Sequence, residues 1–506
     1  MPPDSTKSGG GRFGRPGASG RGARYLSRMS QNGTPSQHPR RWLVLLAMTG
    51  SLSMIFVDIT VTGVAGPAIG RDFASGPDGV SWIANAYILA LAALMAIGGR
   101  LGDIVGRRNA FVAGVAVFAA ASAVCGMAGE LSWLLVGRVL QGVGAALMQP
   151  ASSSIVIDSF DPGERGKAMG VYIGIPMTFF ALGPVLGGLM TEHVGWRSVF
   201  FVNLPIAAAA IALALYARSA NLRAADRSFD LLSAVLLVLG LPGIVFALQD
   251  GAKAPEPGAV SALGDSAPLR ILTAPILATF AAGLVLCTLF VVRQFRAERP
   301  LLRLSLFQDR ALLADATLIA IMQFAMAGII VEGSIYAQEV LGYAPARAGA
   351  SLMPMLVPVI FLARRAGGLY DRHGVRPLAR FGTSLAAFGF CVWAAGCVVE
   401  RYAVIAAGMV LLGAGVAFIM SPANTDALSR APAEMRGQVS GLLQTFRQLG
   451  GALGVAFAAC IVDAVRAAGQ PLSAAIGAAM FGGAVVAALG AVVALRMPAG
   501  APRARQ

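Results

Sequence analysis

An aspartate lies inside the first long apolar stretch of the chain. Asp58 stands in the run Phe-Val-Asp-Ile-Thr-Val, and it is the only charged residue between positions 43 and 70. A carboxyl group among apolar side chains is costly to keep ionised, so it can bind and release a proton or pair with a cation. Asp58 is therefore the first candidate for a functional residue.

A cation lies at a matching depth in the fourth apolar stretch. That residue is Arg138, and Gln141 follows it by about one helical turn. At about 1.5 Å per residue, Asp58 lies roughly 24 Å along its helix from Trp42. We predict that Asp58 and Arg138 pair and take part in proton coupling; the alternative is an ion pair with a purely structural role. Gln141 either shares this site or packs against a glycine-rich neighbour.

One pattern of glycine, aspartate and arginine occurs twice. The sequence G-x-L-x-D-x-x-G-x-R spans residues 99–108 and again 367–376, each time in a short charged loop between long apolar segments. A second pattern, R-G-x-x-x-G, spans 165–170 and recurs at 436–441. Such repetition predicts two related halves with a central site between them.

The repeated loop has residue types suited to holding helices together. Its glycines permit tight turns and close helix approach, and its aspartate can accept bonds from helix N-terminal amides and from arginine. We predict a gate that joins the two halves on the cytoplasmic side. Its residues are Gly99, Arg100, Gly102, Asp103, Gly106, Arg107, Arg108, Asp371 and Arg372. The alternative is that the basic residues only anchor the loop on the cytoplasmic side. This explains Arg107 and Arg108 but not the glycines. In the second copy Tyr370 stands at the position of Gly102, so the prediction is weaker there.

Composition indicates a polytopic membrane protein. Of 506 residues, 56% are hydrophobic and 13% are charged, and the mean hydropathy is +0.70. A soluble chain carries about 25% charged residues. The net charge of +15 does not indicate nucleic-acid binding, because the basic residues fall in short loops between apolar runs. The five cysteines lie in apolar segments without metal-ligand spacing, so we expect packing residues and no metal site.

Fourteen apolar segments are long enough to span a membrane, and helices are expected because open strands leave backbone groups unsatisfied in lipid. They cover residues 42–64, 80–99, 109–129, 132–156, 166–191, 198–217, 230–249, 271–292, 311–337, 346–365, 378–399, 402–424, 437–462 and 472–495. With the N-terminus inside, the cytoplasmic segments hold 31 Lys and Arg residues and the outward loops hold 7. This asymmetry predicts that both termini are cytoplasmic.

The repeats also predict how the chain is divided. The expected parts are a disordered basic tail (1–41), an N-terminal six-helix lobe (42–217), a linker with two extra transmembrane helices (218–310), a C-terminal six-helix lobe (311–496) and a short tail (497–506). The tail before residue 42 has no secretory signal. Met29 is a candidate start of the chain.

Three motifs resemble those of a known family. Residues 98–108 closely resemble the cytoplasmic signature of the major facilitator superfamily, and residues 135–146 resemble its helix 4 motif, which contributes to proton transfer in drug antiporters. Helix 5 resembles the antiporter motif of drug exporters, in the residues Gly174, Gly183, Pro184, Gly187 and Gly188. With fourteen helices, residues 42–495 resemble the drug:proton antiporter branch of the EmrB/QacA type.

This resemblance implies an all-α polytopic membrane protein with the major facilitator fold, two pseudo-symmetric six-helix bundles plus two extra central helices. It implies proton-coupled multidrug or antibiotic efflux by alternating access in a bacterial inner membrane. We expect no enzyme activity and no cofactor beyond the proton gradient; the partners are a small apolar or amphipathic substrate, protons and the lipid bilayer, and the protein is a monomer with or without a periplasmic adaptor. Alternatives are an exporter of one endogenous compound and a non-transporting sensor or scaffold.

Polar residues of the second half are candidates for a substrate cavity. These are Glu332, Tyr336, Gln338 and Arg447. Glu332 either binds a cation or proton or lies in water at a helix end. Arg447 lies about 15 Å into its helix, so it must face a cavity or a partner, and an unpaired arginine there would disfavour cationic drugs. Asp315 and Asp426 are expected at the membrane interface.

Overall fold

Fourteen helices of the computed structural model are long and apolar enough to cross a membrane, counted over the described residues 40–219, 221–224, 226–251, 273–297, 300–303, 306 and 308–497. The predicted number of spans is confirmed. The tail predicted for residues 1–41 lies outside the described residues except for its last two positions. Residues 252–272, between the seventh and eighth helices, also lie outside them.

Each helix overlaps its predicted segment, and the ends differ by up to eight residues. The first seven are α1 (Arg41–Asp72), α2 (Pro77–Val105), α3 (Arg107–Gly126), α4 (Leu131–Ser159), α5 (Arg165–His193), α6 (Asn203–Tyr216, entered through the turn Ser198–Phe201) and α7 (Leu231–Gly251). The others are α8 (Ala274–Arg296), α9 (Arg310–Ile335, continued by the π-helical turn Tyr336–Val340), α10 (Met353–His373), α11 (Val375–Val398), α12 (Tyr402–Arg430), α13 (Arg436–Ala467) and α14 (Leu472–Arg496).

Glycine ends the second helix of each half. Gly106 separates α2 from α3 with φ of 102°, and Gly374 separates α10 from α11 with φ of 77°. Glycine adopts this backbone region without the steric penalty that a Cβ would bring. The two turns share one end of the bundle, which we call the basic side; the other end is the opposite side.

The same helix pairs form twice along the chain. In the first half α1 packs on α5, and α4 packs on α2 and α3; in the second half α9 packs on α13, and α12 packs on α10 and α11. This repetition confirms the predicted pair of pseudo-symmetric six-helix bundles. The exact residue limits of the two lobes stay a prediction.

The two bundles meet through α2 against α13 and α5 against α10. A Cβ on Gly99 would lie 2.1 Å from the carbonyl oxygen of Gly437, and one on Gly367 would lie 1.9 Å from that of Gly166. Backbone therefore touches backbone at both crossings. The two repeated sequence patterns contact each other crosswise, the loop motif of each half against the Arg-Gly motif of the other.

The two extra helices form a pair, and α7 also packs on α2 and α13. Asp230 precedes α7 and accepts hydrogen bonds from the Arg293 guanidinium of α8, the shortest 2.9 Å, and from the Ser233 hydroxyl at 2.6 Å. The bonds from Arg293 and Ser233 lower the pKa of Asp230 to about 2. Asp230 thus stays ionised between about pH 5 and 8, and this contact is constant over that range.

We predict that alanine at Gly367 destabilises the protein while alanine at the adjacent Gly368 does not. A Cβ at Gly367 would overlap α5, which costs about 1–3 kcal/mol, whereas one at Gly368 meets nothing within 4 Å. The melting temperatures of the purified variants measure this. Equal melting temperatures for the two variants would contradict the tight crossing.

Candidate functional site

Asp58 is completely buried and receives three hydrogen bonds. Arg138 Nη1 donates to Asp58 Oδ2 at 2.5 Å, Gln141 Nε2 donates to Oδ1 at 3.1 Å, and Asn203 Nδ2 donates to Oδ1 at 3.2 Å. The donors come from α4 and α6, so one carboxylate on α1 joins three helices.

The other contacts of Arg138 fix its guanidinium in place. Its Nε donates to the Ile83 carbonyl at 2.9 Å, and its guanidinium carbon lies 4.5 Å from the centre of the Tyr87 ring. Gln141 also donates to the Ser122 hydroxyl at 2.7 Å. The structure thus brings the three predicted proton-coupling residues together. Their role in coupling stays a prediction.

The glycines of helix 5 set the distance between α5 and α1. A Cβ on Gly183 would lie 1.8 Å from Thr60 Oγ1, and one on Gly187 would lie 2.9 Å from the Val61 Cα. These contacts begin two residues beyond Asp58, so the pair of glycines positions the helix segment that carries the acid. The remaining residues of the motif differ in their contacts: Gly174 faces α10, Pro184 lies within α5, and a Cβ on Gly188 would meet nothing within 4 Å.

Asp103 caps a helix of the other half. Its two oxygens accept from the Gly437 amide at 3.0 Å and the Gln438 amide at 2.8 Å, at the start of α13. A carboxylate at a helix N-terminus satisfies free amides and interacts favourably with the helix dipole. Asp103 is 1% exposed, so no water replaces these bonds in this conformation.

A chain of charges extends this cap. Arg107 donates to Asp103 at 3.0 Å and also to Asp158 at the end of α4. Asp158 in turn accepts from Arg436, the first residue of α13. Because Asp103 and Asp158 belong to the first half and Arg436 to the second, the network ties the halves together on the basic side.

The second copy of the loop makes the equivalent cap. Asp371 accepts from the Gly166 amide at 2.8 Å and the Lys167 amide at 3.0 Å, at the start of α5. Val375 occupies the position of Arg107 in this copy, so the arginine that joins Asp103 to Asp158 has no counterpart at that position. The exposed Arg372 makes no ion pair with the part of the chain that the structure describes.

The other predicted gate residues have separate contacts. Arg100 donates to the Ser228 carbonyl at 2.8 Å in the linker before α7, and Arg108 is half-buried at the start of α3. A Cβ on Gly102 would meet Ala110 at an ordinary 3.6 Å, so close packing does not demand glycine there. Of the predicted set, Gly99, Asp103, Arg107 and Asp371 make the contacts between the halves, and Gly106 forms the turn.

A central cavity of about 240 Å³ lies between the halves. Arg447 lines it, whereas Glu332, Tyr336 and Gln338 do not, among the described residues. The structure differs from the prediction that these three residues line the cavity, because all three lie near the end of α9. The Tyr336 hydroxyl donates to the Cys397 carbonyl on α11, and Gln338 is exposed in the π-helical turn. Glu332 is 3% exposed, which excludes the alternative of a carboxyl in water.

Sequence reasoning missed Asn203 and Asp158. Asn203 lies in the entry to helix 6, and nothing along the chain indicates that its amide reaches Asp58. Asp158 lies near the end of an apolar helix, two turns before Arg165. An acidic residue at that position could have been recognised in the sequence as a candidate site residue. Within the described ranges, no group of three or more His, Cys, Asp or Glu side chains could hold a metal ion.

Asp315 and Asp426 lie about one turn from the ends of α9 and α12, which pack together and bury both side chains. Their carboxyl groups face each other. Asp426 accepts from the Tyr370 hydroxyl at 2.9 Å and from Arg430, whereas neither oxygen of Asp315 meets a donor among the described residues. A hydrogen bond between two carboxyl groups requires a proton on one of them.

We predict that Asp103→Asn lowers the melting temperature more than Asp371→Asn. Both changes remove a charged helix cap, worth about 0.5–2 kcal/mol. Only the change at Asp103 also leaves the buried Arg107 with one carboxylate fewer. Thermal unfolding of the purified variants measures the difference, and the prediction fails if Asp371→Asn is the more damaging change.

We also predict that Asp315→Asn raises the melting temperature at pH 7 and that Asp426→Asn lowers it. An amide at position 315 can donate to Asp426 without a shared proton, whereas an amide at position 426 loses the charge that binds Arg430. Scanning calorimetry of both variants tests this. A lower melting temperature for Asp315→Asn would show that the two carboxyl groups do not oppose each other.

The comparisons with known proteins agree on one family. The model of the Major Facilitator Superfamily matches residues 48–455. The chain is 36% identical over 419 residues to the "Tetracenomycin C resistance and export protein" of Streptomyces glaucescens, covering 82% of this chain and 75% of that protein. It is 32% identical over 436 residues to the "Multidrug resistance protein Stp" of Mycobacterium tuberculosis, covering 84% and 76%.

Solved structures show the same fold. A crystal structure of the human organic anion transporter MFSD10 superposes with a TM-score of 0.63 at 16% identity, covering 90% of this chain and 99% of that chain. A double tryptophan mutant of XylE also gives 0.63, at 15% identity, covering 91% and 96%. With its fourteen apolar helices and these relatives, the chain belongs to the major facilitator superfamily of membrane transporters, which are not enzymes.

Proposed function

We propose that this protein exports small apolar or amphipathic compounds in exchange for protons, by alternating access. The observation that carries the proposal is Asp58, a fully buried carboxylate bound by Arg138, Gln141 and Asn203 inside a chain related to resistance and export proteins. A group that must be desolvated and yet binds protons suits coupling to a proton gradient.

Protonation of Asp58 changes the balance between two helix arrangements. The neutral carboxyl no longer compensates the charge of Arg138, which is 1% exposed. Breaking a buried ion pair by removing one partner costs about 3–5 kcal/mol. An equilibrium between two conformations that differ by a few kcal/mol shifts strongly under such a change. A proton on Asp58 therefore favours any arrangement of α1 and α4 in which Arg138 finds other partners.

The gate determines which side opens. The caps made by Asp103 and Asp371 hold the basic side closed in this conformation, and access from that side requires α2 to leave α13 and α5 to leave α10. The excess of Lys and Arg on the basic side supports a cytoplasmic location for it and for both termini. A plasma-membrane protein of this orientation would bind protons from the outside and compounds from the inside.

The proposal needs no nucleotide and no bound cofactor, because the proton gradient supplies the energy. The chain contains no G-x-x-x-x-G-K-[ST] sequence that would cradle nucleotide phosphates. The monomer holds a complete central cavity between its two bundles, which supports a monomeric transporter. Any requirement for a periplasmic adaptor is decided by whether the purified chain transports alone.

A second candidate is an exporter of one compound. One relative bears the name of a single compound, tetracenomycin C, whereas another is named for multidrug resistance. Growth inhibition by a panel of antibiotics and dyes, with and without the gene, separates these candidates. Protection against one chemical family favours the dedicated exporter, and protection against unrelated compounds favours the multidrug exporter. The third alternative, a sensor or scaffold, predicts protection against none.

We predict that Asp58→Asn abolishes proton-driven dye export while Asp72→Asn leaves it unchanged. Both residues belong to α1, but the Asp72 side chain is 44% exposed and binds Arg197 at the opposite side. The assay uses proteoliposomes containing pyranine, to which fluorescein or rhodamine 123 is added on the basic side under an imposed pH gradient. Dye movement and the accompanying proton flux are recorded together.

Each outcome of this assay decides one part of the proposal. Wild-type transport with proton flux supports antiport, and dye movement that ignores the gradient contradicts proton coupling. Transport by Asp58→Asn with unchanged proton dependence removes Asp58 from the mechanism. Asp230 stays ionised between about pH 5 and 8, so it does not produce a pH dependence in this range.

A further inference from the structure

The central cavity contains one charged side chain among the residues that the structure describes. Its wall is mostly apolar, with aromatic and methionine side chains such as Phe56, Phe180 and Met326. Five glutamines add amide groups, and they are Gln149, Gln249, Gln323, Gln444 and Gln448. The charged side chain is Arg447, and no carboxylate of the described residues lines the cavity.

Arg447 has no partner that neutralises it. It makes no hydrogen bond or ion pair with the described part of the chain, and its Nε is buried without an acceptor. Arg447 interacts electrostatically with Tyr172, whose hydroxyl is bonded to Ser152 at 2.6 Å. By contrast, the charge of Arg138 is neutralised by Asp58.

The position of Arg447 prevents escape to water outside the bundle. It is the twelfth residue of α13, about 16 Å from the start of the helix at about 1.5 Å per residue. Small residues follow it on the same helix, and the backbones of Gly450 and Gly454 press against α9. The guanidinium is therefore held at the depth of the cavity, where a desolvated cation requires an anion.

We propose that the central cavity selects compounds that carry an ionised acidic group on an apolar, aromatic body, with Arg447 as the residue that binds the acid. This inference rests on the proposed export function and names the chemical class of its substrate. Arginine offers a planar pair of donors that matches a carboxylate or an acidic phenolate. The aromatic and methionine side chains pack on the ring system, and the glutamines accept or donate at its polar edge.

The same features disfavour permanent cations. A cationic dye in this cavity would meet a like charge and no carboxylate, so its electrostatic interaction is unfavourable in a medium of low dielectric. Two xanthene dyes of similar size test the sign of the charge directly. Fluorescein is an anion at about pH 7.5, and rhodamine 123 is a cation.

The experiment measures binding of each dye to the purified full-length protein by fluorescence anisotropy at about pH 7.5. We expect fluorescein to bind the wild-type protein and rhodamine 123 to bind at least tenfold more weakly. Arg447→Gln should weaken fluorescein binding about tenfold to hundredfold. Arg447→Lys should retain part of the affinity, because it keeps the charge without the planar donors. Arg401→Gln is the matched control, because Arg401 is exposed just before α12, on the opposite side of the bundle and away from the cavity lining.

The outcomes separate this inference from the proposed function. Failure of wild-type protein to bind fluorescein, preference for rhodamine 123, or equal fluorescein affinity in wild-type and Arg447→Gln each overturns the inference. Arg447→Met and the melting temperature of each variant distinguish lost binding from lost folding: a folded Arg447→Met that binds fluorescein like wild type also overturns it. If fluorescein binds as expected but proteoliposomes move neither dye under a pH gradient, the export proposal fails while the anion site stands.

Discussion

Two aspartates, each capping a helix of the opposite half, hold this structure in its present conformation. Asp103 satisfies amides at the start of α13, and Asp371 satisfies amides at the start of α5. These bonds form only if the backbones come very close, and glycine at both crossings allows that. These two contacts join the two bundles on the basic side.

The two caps are similar in geometry but unequal in their surroundings. The first belongs to a network of Arg107, Asp158 and Arg436 that joins both halves. In the second half Val375 stands at the position of Arg107, and Asp426 near the end of α12 accepts from Tyr370 and Arg430. The duplicated fold thus keeps the carboxylate cap at both crossings, while the arginine at position 107 belongs to the first crossing.

Arg138 and Arg447 lie inside the bundle in different surroundings. Arg138 has its charge compensated and is tied to the helix arrangement through Asp58, Tyr87 and Ile83. Arg447 keeps an uncompensated charge in the cavity. A charge that is already paired can respond to a proton on its partner, whereas an unpaired charge can respond to a ligand. This division gives the proposed exchange of protons for acidic compounds a physical basis in two separate places.

Sequence alone determined the number of helices, their limits to within eight residues and the pairing depth of Asp58 and Arg138, because hydropathy and helical rise act locally along the chain. The tertiary structure decided which residues those groups meet. Asn203 completes the acid site, Asp371 caps α5 in spite of the tyrosine in its loop motif, and Arg447 lines the cavity. Among the described residues, Glu332, Tyr336 and Gln338 do not line it. A helix presents side chains in every direction, and only packing against other helices determines which direction faces a cavity.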